Sequence, residues 1–114
     1  MSQLSSTWPT ERELTPQERE VVQSATAELR RMIEPNDEVD VAATWSVSHP
    51  GQPDQTLKLR LADPYARVEQ EFRLAELTDR STWFRLSRLY DRLLSRRVKV
   101  LLGRATDNDP VGAA

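Results

Sequence analysis

Residues 39–61 read VDVAATWSVSHPGQPDQTLKLRL. Apolar side chains recur at every second position over residues 39–47 and again over residues 57–61. A period of two places alternate side chains on opposite faces of a β-strand. The intervening residues 49–54, HPGQPD, are dense in turn formers. The segment therefore predicts an antiparallel hairpin whose connection is longer than the tight two-residue type.

Residues 66–74 allow two interpretations. As a strand, Val68, Phe72 and Leu74 alternate with charged residues; as a helix, Val68, Phe72 and Ala75 would form the apolar face. The Glu, Gln and Arg residues between them are good helix formers. Two strands alone would form a marginal sheet, whereas a third strand makes a face wide enough for helices to cover. We therefore predict a third strand.

A helix is predicted before the hairpin, from about Pro16 to Glu34. It begins at residues 15–18, TPQE, which combine a capping Thr, a Pro suited to the first helical position and a Glu that completes a capping box. Pro35 cannot continue the helix. The apolar residues at helical spacing are Val22, Ala25, Leu29, Met32 and Ile33.

A second long helix is predicted from about Arg80 to Leu102, with Gly103 at its C-terminal end. The β-branched and partly alternating residues 98–102 leave open a shorter helix that stops near Arg97. The apolar positions of this helix span an arc of roughly 180°, which is wider than one neighbour needs. We expect it to pack on the sheet and the first helix, or on a second copy of the chain.

These elements predict a single α+β domain of order α-β-β-β-α, in which a three-stranded antiparallel sheet carries two helices on one face. The covered face bears Trp45, Leu59 and Phe72. The other face has mixed charges, which indicates cross-strand ion pairs rather than a ligand pocket. Its residues are Thr44, Ser46, Lys58, Arg60, Glu69 and Glu71.

The predicted domain covers residues 15–104, between an N-terminal tail of residues 1–14 and a C-terminal tail of residues 105–114. Its order resembles that of double-stranded-RNA-binding domains in topology only. The start of the last helix, Arg80-Ser81-Thr82-Trp83, lacks the Lys cluster of those domains, so we do not assign the chain to them.

Composition predicts a non-enzymatic protein without cofactor or metal. The chain has no Cys and one His, so thiolate catalysis and Cys-based zinc sites are excluded. His49 lies in a turn beside Pro50, which is typical of an exposed loop residue. Neither a secretory signal nor an apolar run of membrane-spanning length is present. These observations predict a protein that is soluble, cytoplasmic and not bound to membranes.

The clearest functional signal is a row of cations on the last helix. Between Arg80 and Arg104 the chain has 8 Lys or Arg residues and one acid, Asp91. Five of the cations recur every three or four residues and fall within an arc of roughly 80° on a helix. We call them the arginine stripe and predict that they form a binding surface: Arg85, Arg88, Arg92, Arg96 and Lys99.

Three interpretations of the arginine stripe remain open. In the first interpretation the cations are simply solvated. Like charges at this spacing cost on the order of 0.2–0.5 kcal/mol per pair, and burial of the apolar side chains on the opposite face of the helix would outweigh this cost. A second interpretation pairs the stripe with acids within the chain, because residues 1–57 have 4 Lys or Arg against 10 Asp or Glu. Those near the first helix are Glu11, Glu13, Glu18, Glu20, Glu28 and Glu34.

The third interpretation is an external anionic partner. We predict a small protein-interaction module that binds another protein, or its own copy, through the stripe or the open sheet. The alternative is nucleic-acid (RNA) binding through the stripe, which a sequence pI of about 5.4 disfavours because nucleic-acid-binding domains are usually basic. Arg97 projects near the apolar arc, and we predict that it reaches solvent from the helix end.

Overall fold

The fold is a four-stranded mixed sheet with its helices on one face. It comes from a computed structural model, which describes residues 4–7, 14–49 and 52–107. The strands are β1 (Leu4–Thr7), β2 (Val41–Ser48), β3 (Thr56–Ala62) and β4 (Arg67–Phe72). The helices are α1 (Pro16–Ile33), a short α2 (Leu74–Thr78) and α3 (Phe84–Asp107), with a 3₁₀ turn at Arg80–Thr82 before α3.

α1 begins with the predicted capping box. The Glu18 amide donates to Thr15 Oγ1 at 3.1 Å, and the Thr15 amide donates to Glu18 Oε1 at 3.0 Å. Glu18 Oε2 also accepts a hydrogen bond of 2.8 Å from Gln55 Nε2, which ties the start of α1 to the loop before β3. The prediction of this helix is confirmed to within one residue at its C-terminal end.

The sheet order is β1-β2-β3-β4. β2, β3 and β4 form the predicted antiparallel series, with Trp45 opposite Leu59 and Leu57 opposite Phe72. β1 adds a parallel strand beside β2, with Leu4 beside Val41. The predicted three-stranded antiparallel sheet and its α-β-β-β-α order are therefore wrong in detail. The missed strand lies within the segment that the sequence assigns to an N-terminal tail.

The helical interpretation of residues 66–74 is wrong, because Arg67–Phe72 is a strand. A turn between Asp63 and Ala66 joins β3 to β4, with the Asp63 amide donating to the Ala66 carbonyl at 2.9 Å. This turn places Val68 opposite Leu61 on the covered face of the sheet. Pairing with β3 outweighs the local helix propensity of these residues.

α1 packs on β1 and β2, and α3 packs on β3 and β4, so the helices lie on the same face of the sheet. That face carries the predicted Trp45, Leu59 and Phe72, all buried. Trp45 Nε1 donates to Thr26 Oγ1 at 2.9 Å, so the buried indole is satisfied by α1. The opposite face has the predicted ion pairs, since Glu69 accepts bonds from both Lys58 and Arg60.

The predicted last helix is divided at its start and longer at its end. α2 and the 3₁₀ turn precede α3, because Asp79 Oδ1 accepts a 3.0 Å hydrogen bond from the Ser81 amide and caps a separate turn. α3 then continues through Arg97 and through Gly103. Both the shorter helix and the predicted end at Gly103 are therefore wrong. Among the described helices, none combines the length and the apolarity needed to cross a bilayer.

Candidate functional site

The arginine stripe lies on the side of α3 that faces away from the core. Leu86, Leu89 and Leu93 are buried against the sheet and α1, on the other side of the helix. Four members of the stripe are exposed and Arg85 is half-buried. The exposed members are Arg88, Arg92, Arg96 and Lys99.

Three members of the stripe have partners within the described part of the chain. Arg85 forms an ion pair with the carboxylate of Glu76 on α2. The Arg88 guanidinium lies 5.2 Å from the ring centroid of Phe84. Arg96 Nη1 donates a 2.7 Å hydrogen bond to the Arg67 carbonyl on β4. In the described ranges Arg85 is the only stripe member with an acidic partner, and Arg92 and Lys99 have none of these contacts.

The interpretation that acids of the first helix neutralise the stripe has no support in the described residues. Glu28 pairs with Arg31 of α1 at 3.0 Å, and Glu18 bonds to Thr15 and Gln55. The acid that bonds to the stripe is instead Glu76, on α2. Glu11 and Glu13 lie outside the described residues.

A groove lies between α3 and β4. Arg92 and Arg96 form one wall, and Arg67, Val68 and Glu69 form the other, around a cavity of about 340 Å³. We call it the β4 groove. On the open face of the sheet the Glu69 carboxylate accepts hydrogen bonds from Lys58 and from Arg60, and these bonds lower the pKa of Glu69. The groove is therefore lined by three Arg residues and by one acid whose carboxylate is already paired.

Large apolar side chains are exposed beside the stripe. Phe84 is 52% exposed, Val98 53%, Leu101 42% and Leu102 62%. All four belong to α3, and they are the large apolar residues that the described part of the chain leaves exposed. We call the combined surface the α3 outer face. It comprises Phe84, Arg88, Arg92, Lys99 and Leu102, which fall within an arc of about 80° on the helix.

The prediction that Arg97 reaches solvent is wrong, because its side chain is buried in an ion-pair network with Asp37 and Asp63. Arg97 Nε donates to Asp63 Oδ2 at 2.6 Å, and Arg97 Nη2 donates to Asp37 Oδ2 at 2.8 Å. Tyr90 donates its hydroxyl to Asp37 at 2.7 Å. The Arg97 side chain is 11% exposed and that of Asp63 0%. Arg97 therefore ties the middle of α3 to two loops.

The pKa values in this network follow from its geometry. Burial by itself would raise the pKa of Asp37, but the bonds from Arg97, Tyr90 and the Val39 amide outweigh it and lower the pKa to about 2. Burial and the bond to Asp37 raise the pKa of Tyr90 above its usual value. The bond to Asp37 raises the pKa of Arg97. All these groups therefore keep one protonation state near neutral pH, as a structural network does.

His49 borders a cavity of about 570 Å³ between the β2–β3 loop and the end of β4. The carboxylates of Asp54 and Glu71 also line it, but Glu71 accepts hydrogen bonds from Ser48 at 3.3 Å and Thr56 at 3.4 Å. In the described ranges no bond joins the His49 imidazole to a carboxylate or hydroxyl. The same ranges contain no cluster of His and acidic residues that could hold a metal ion.

Sequence reasoning missed Arg67 as a neighbour of the stripe. Arg67 belongs to a strand and Arg96 to a helix 29 residues away, and only the packing of α3 on β4 brings them together. The alternation of side chains along β4 indicates which of its residues face the helices, but not which helix packs beside the strand. The exposed apolar residues were also missed, because their spacing is typical of a buried face.

Comparison with protein-family models, curated proteins and solved structures finds no match to this chain.

Proposed function

We propose that this protein is a small, non-enzymatic interaction module whose α3 outer face binds another protein. The observation that supports this most is the juxtaposition of unpaired cations with exposed large apolar side chains on one helix. Arg92 and Lys99 lack acidic partners in the described ranges, and Phe84 and Leu102 are each more than half exposed.

This composition favours a protein partner. Arg and aromatic residues such as Phe are enriched at the centres of protein interfaces, and exposed apolar side chains rimmed by polar residues mark sites of protein interaction. Burying Phe84 and Leu102 would add free energy in proportion to the apolar area removed from water. A partner with acidic residues beside an apolar strip would complement both features. The proposal also accounts for the repulsion among the cations, which such a partner would relieve.

The test is a double charge reversal, Arg88→Glu with Arg92→Glu. A tagged wild-type chain is used to capture a partner, which mass spectrometry identifies and calorimetry then titrates against each variant. We expect the reversal to weaken binding by at least about tenfold, because it replaces charge-assisted contacts with repulsion. The far-ultraviolet circular dichroism should not change, since both side chains are exposed.

Arg31→Glu is the matched control, because Arg31 is an exposed cation on α1 whose side chain is 76% exposed. It should leave the dissociation constant unchanged. An unchanged constant in the double reversal would instead remove the stripe from the interface. A concentration-dependent dimer in sedimentation, abolished by the same reversal, would identify the partner as a second copy of the chain.

Nucleic-acid binding is the second candidate, and the exposed row from Arg88 to Lys99 is the feature that favours it. Phosphate contacts release counterions, so the logarithm of the binding constant would fall linearly with the logarithm of salt concentration. Gel shifts with single-stranded and duplex RNA and DNA at low salt test this candidate. No shift of any of these probes would dispose of it.

A further inference from the structure

β4 is an edge strand with part of its backbone unpaired. The Ala66 carbonyl accepts from the Asp63 amide, so it points toward β3. Since backbone groups of successive strand residues point to opposite sides, those of Arg67, Glu69 and Glu71 point away from β3. β4 is last in the sheet order. The described chain therefore provides no strand to pair with the outward amides and carbonyls of Glu69 and Glu71.

The stripe reaches this edge. Arg96 extends from α3 and donates a 2.7 Å hydrogen bond to the Arg67 carbonyl, which points away from β3. Arg92 lies on the same wall of the β4 groove. A neutral carbonyl is a weaker partner for a guanidinium than a carboxylate is. An incoming acid would therefore draw Arg96 from the Arg67 carbonyl, which would free this end of the edge for pairing.

We propose that the β4 edge and the β4 groove form a binding site for an extended acidic segment of a partner protein, which adds to the sheet as a further strand. This rests on the proposed function and specifies the partner: main-chain bonds to β4 supply affinity, and acidic side chains that face Arg92 and Arg96 supply specificity. The partner segment needs acids at every second position, because alternate side chains of a strand point to the same face.

The other side chains of the segment would lie on the open face of the sheet. There they meet Arg67, Glu69 and Glu71, a mixed row in which Glu69 is already paired with Lys58 and Arg60. These positions favour small uncharged residues. The site therefore selects an alternating pattern of acidic and uncharged residues rather than acidity alone.

A second copy of this chain fits the edge poorly. The side chains of β4 on the α3 side are Val68, Gln70 and Phe72, and none of them is acidic. Pairing two β4 edges would bring two sets of Arg92 and Arg96 together, which is unfavourable. An unrelated acidic segment avoids this repulsion.

The test uses three fluorescently labelled synthetic peptides and the full chain. One peptide alternates Thr and Glu, a second has the same composition with all Glu residues consecutive, and a third is the alternating peptide with N-methyl groups on every second amide, which block strand pairing. We expect the alternating peptide to bind at least about tenfold more tightly than the other two. Backbone amide shifts in nuclear magnetic resonance spectra should be largest at Glu69 and Glu71.

Variants of Arg92 and Arg96 test the role of these two residues in peptide binding. Arg92→Glu should weaken binding of the alternating peptide by about tenfold or more, whereas Arg31→Glu should not alter it. Arg96→Ala separates two roles. If the only role of Arg96 is to prevent the β4 edges of two molecules from pairing, Arg96→Ala would cause self-association without weakening peptide binding. This outcome would show that Arg96 is not part of the binding site.

Equal binding of the alternating and N-methylated peptides would overturn strand addition, as would the absence of binding by the alternating peptide. Either result leaves the α3 outer face intact as an interface. The proposed function fails on a separate observation, namely an unchanged dissociation constant for the captured partner after the Arg88 and Arg92 reversal.

Discussion

Arg97 links three segments that are distant in the sequence. It bonds to Asp37 in the loop after α1 and to Asp63 in the β3–β4 turn. Asp63 also accepts 2.7 Å hydrogen bonds from the amides of Tyr65 and Ala66, so its charge is well satisfied. A buried ion pair of this kind adds little net free energy relative to apolar residues, but breaking it is costly because an unpaired charge remains buried.

Replacing Arg97 with Met should lower the free energy of unfolding by about 3–5 kcal/mol, measured by urea denaturation and circular dichroism. Arg92→Met on the exposed side of the same helix is the control and should change it by less than about 0.5 kcal/mol. If the network is energetically coupled, the double variant Arg97→Met with Asp37→Asn should lose less than the two single changes added together. Strict additivity would contradict the network.

Asp37 gives a pH signature to this network. Its pKa of about 2 in the folded protein is below the ordinary value of 3.8, so the folded state favours the ionised carboxylate. This contribution is fully present above about pH 5 and is lost as pH falls through about 2, with a magnitude on the order of 2 kcal/mol. Urea denaturation across this range should show a steeper loss for wild type than for Asp37→Asn. Parallel curves would contradict the assignment.

The sequence places Arg97 correctly near the apolar arc of its helix but does not reveal its partners. Asp37 is 60 residues away and Asp63 is 34 residues away. Both stand in polar turn segments that are typical of solvated loops. Only the way the two loops converge on α3 buries them, and periodicity carries no information about loop convergence.

At the scale of elements, the start of α1 does more than cap a helix. Thr15 and Glu18 satisfy each other's backbone amides, and Glu18 also holds Gln55 at the entry to β3. Glu18 is 6% exposed. One side chain therefore couples the register of α1 to the end of the hairpin loop.

Thr15→Ala should lower the free energy of unfolding by about 1 kcal/mol, as expected for the loss of an N-cap. Glu18→Ala should cost more, because it removes the contact with Gln55 as well as half of the capping box. Thermal unfolding compares the two, with the exposed Glu20→Ala on the same helix as the reference. Equal losses for Thr15→Ala and Glu18→Ala would show that the Gln55 contact carries no free energy.

Elements differ in how far the sequence predicts them. β2 and β3 follow from strict alternation, and α1 from its cap and helical spacing. β1 could not be found in this way, because LSST contains a single apolar residue, Leu4, and its parallel pairing with β2 depends on the return of the chain along α1. The division of α2 from α3 depends on a cap at Asp79, where several adjacent residues could serve equally well.

On the scale of the whole molecule, the domain is elongated, with principal extents of 56 × 29 × 25 Å. α3 has 24 residues and is about 36 Å long. Arg97 is the last of its residues that is tied to a loop by an ion pair within the described chain, and the exposed Leu101 and Leu102 follow it. Because α3 is this long, its last turns extend past the sheet and leave Leu101 and Leu102 exposed.

β1 closes the other edge of the sheet. Leu4 is 4% exposed, and its amide and carbonyl bond to Glu34 and Arg30 of α1 at 3.3 and 3.4 Å. Deletion of residues 1–7 should therefore lower the midpoint of thermal unfolding, since burial of a Leu side chain is worth about 1.5–3 kcal/mol.

The same deletion uncovers the edge of β2, which is longer than β1. We expect the shortened chain to associate in a concentration-dependent way in sedimentation experiments. A Thr7→Ser variant, changed at an exposed position of β1, serves as the control and should behave as wild type. A shortened chain that is as stable and as monodisperse as the full chain would show that β1 contributes nothing to the sheet.

The bond between the Trp45 indole and the Thr26 hydroxyl gives the protein an internal optical reporter. This indole lies between the sheet and α1, so its emission should remain at short wavelength only while the two layers are in contact. In a chain with Trp8 and Trp83 replaced by Phe, Trp45 would be the single emitter. Time-resolved emission would then report how fast α1 joins the sheet during folding, independently of events at the exposed end of α3.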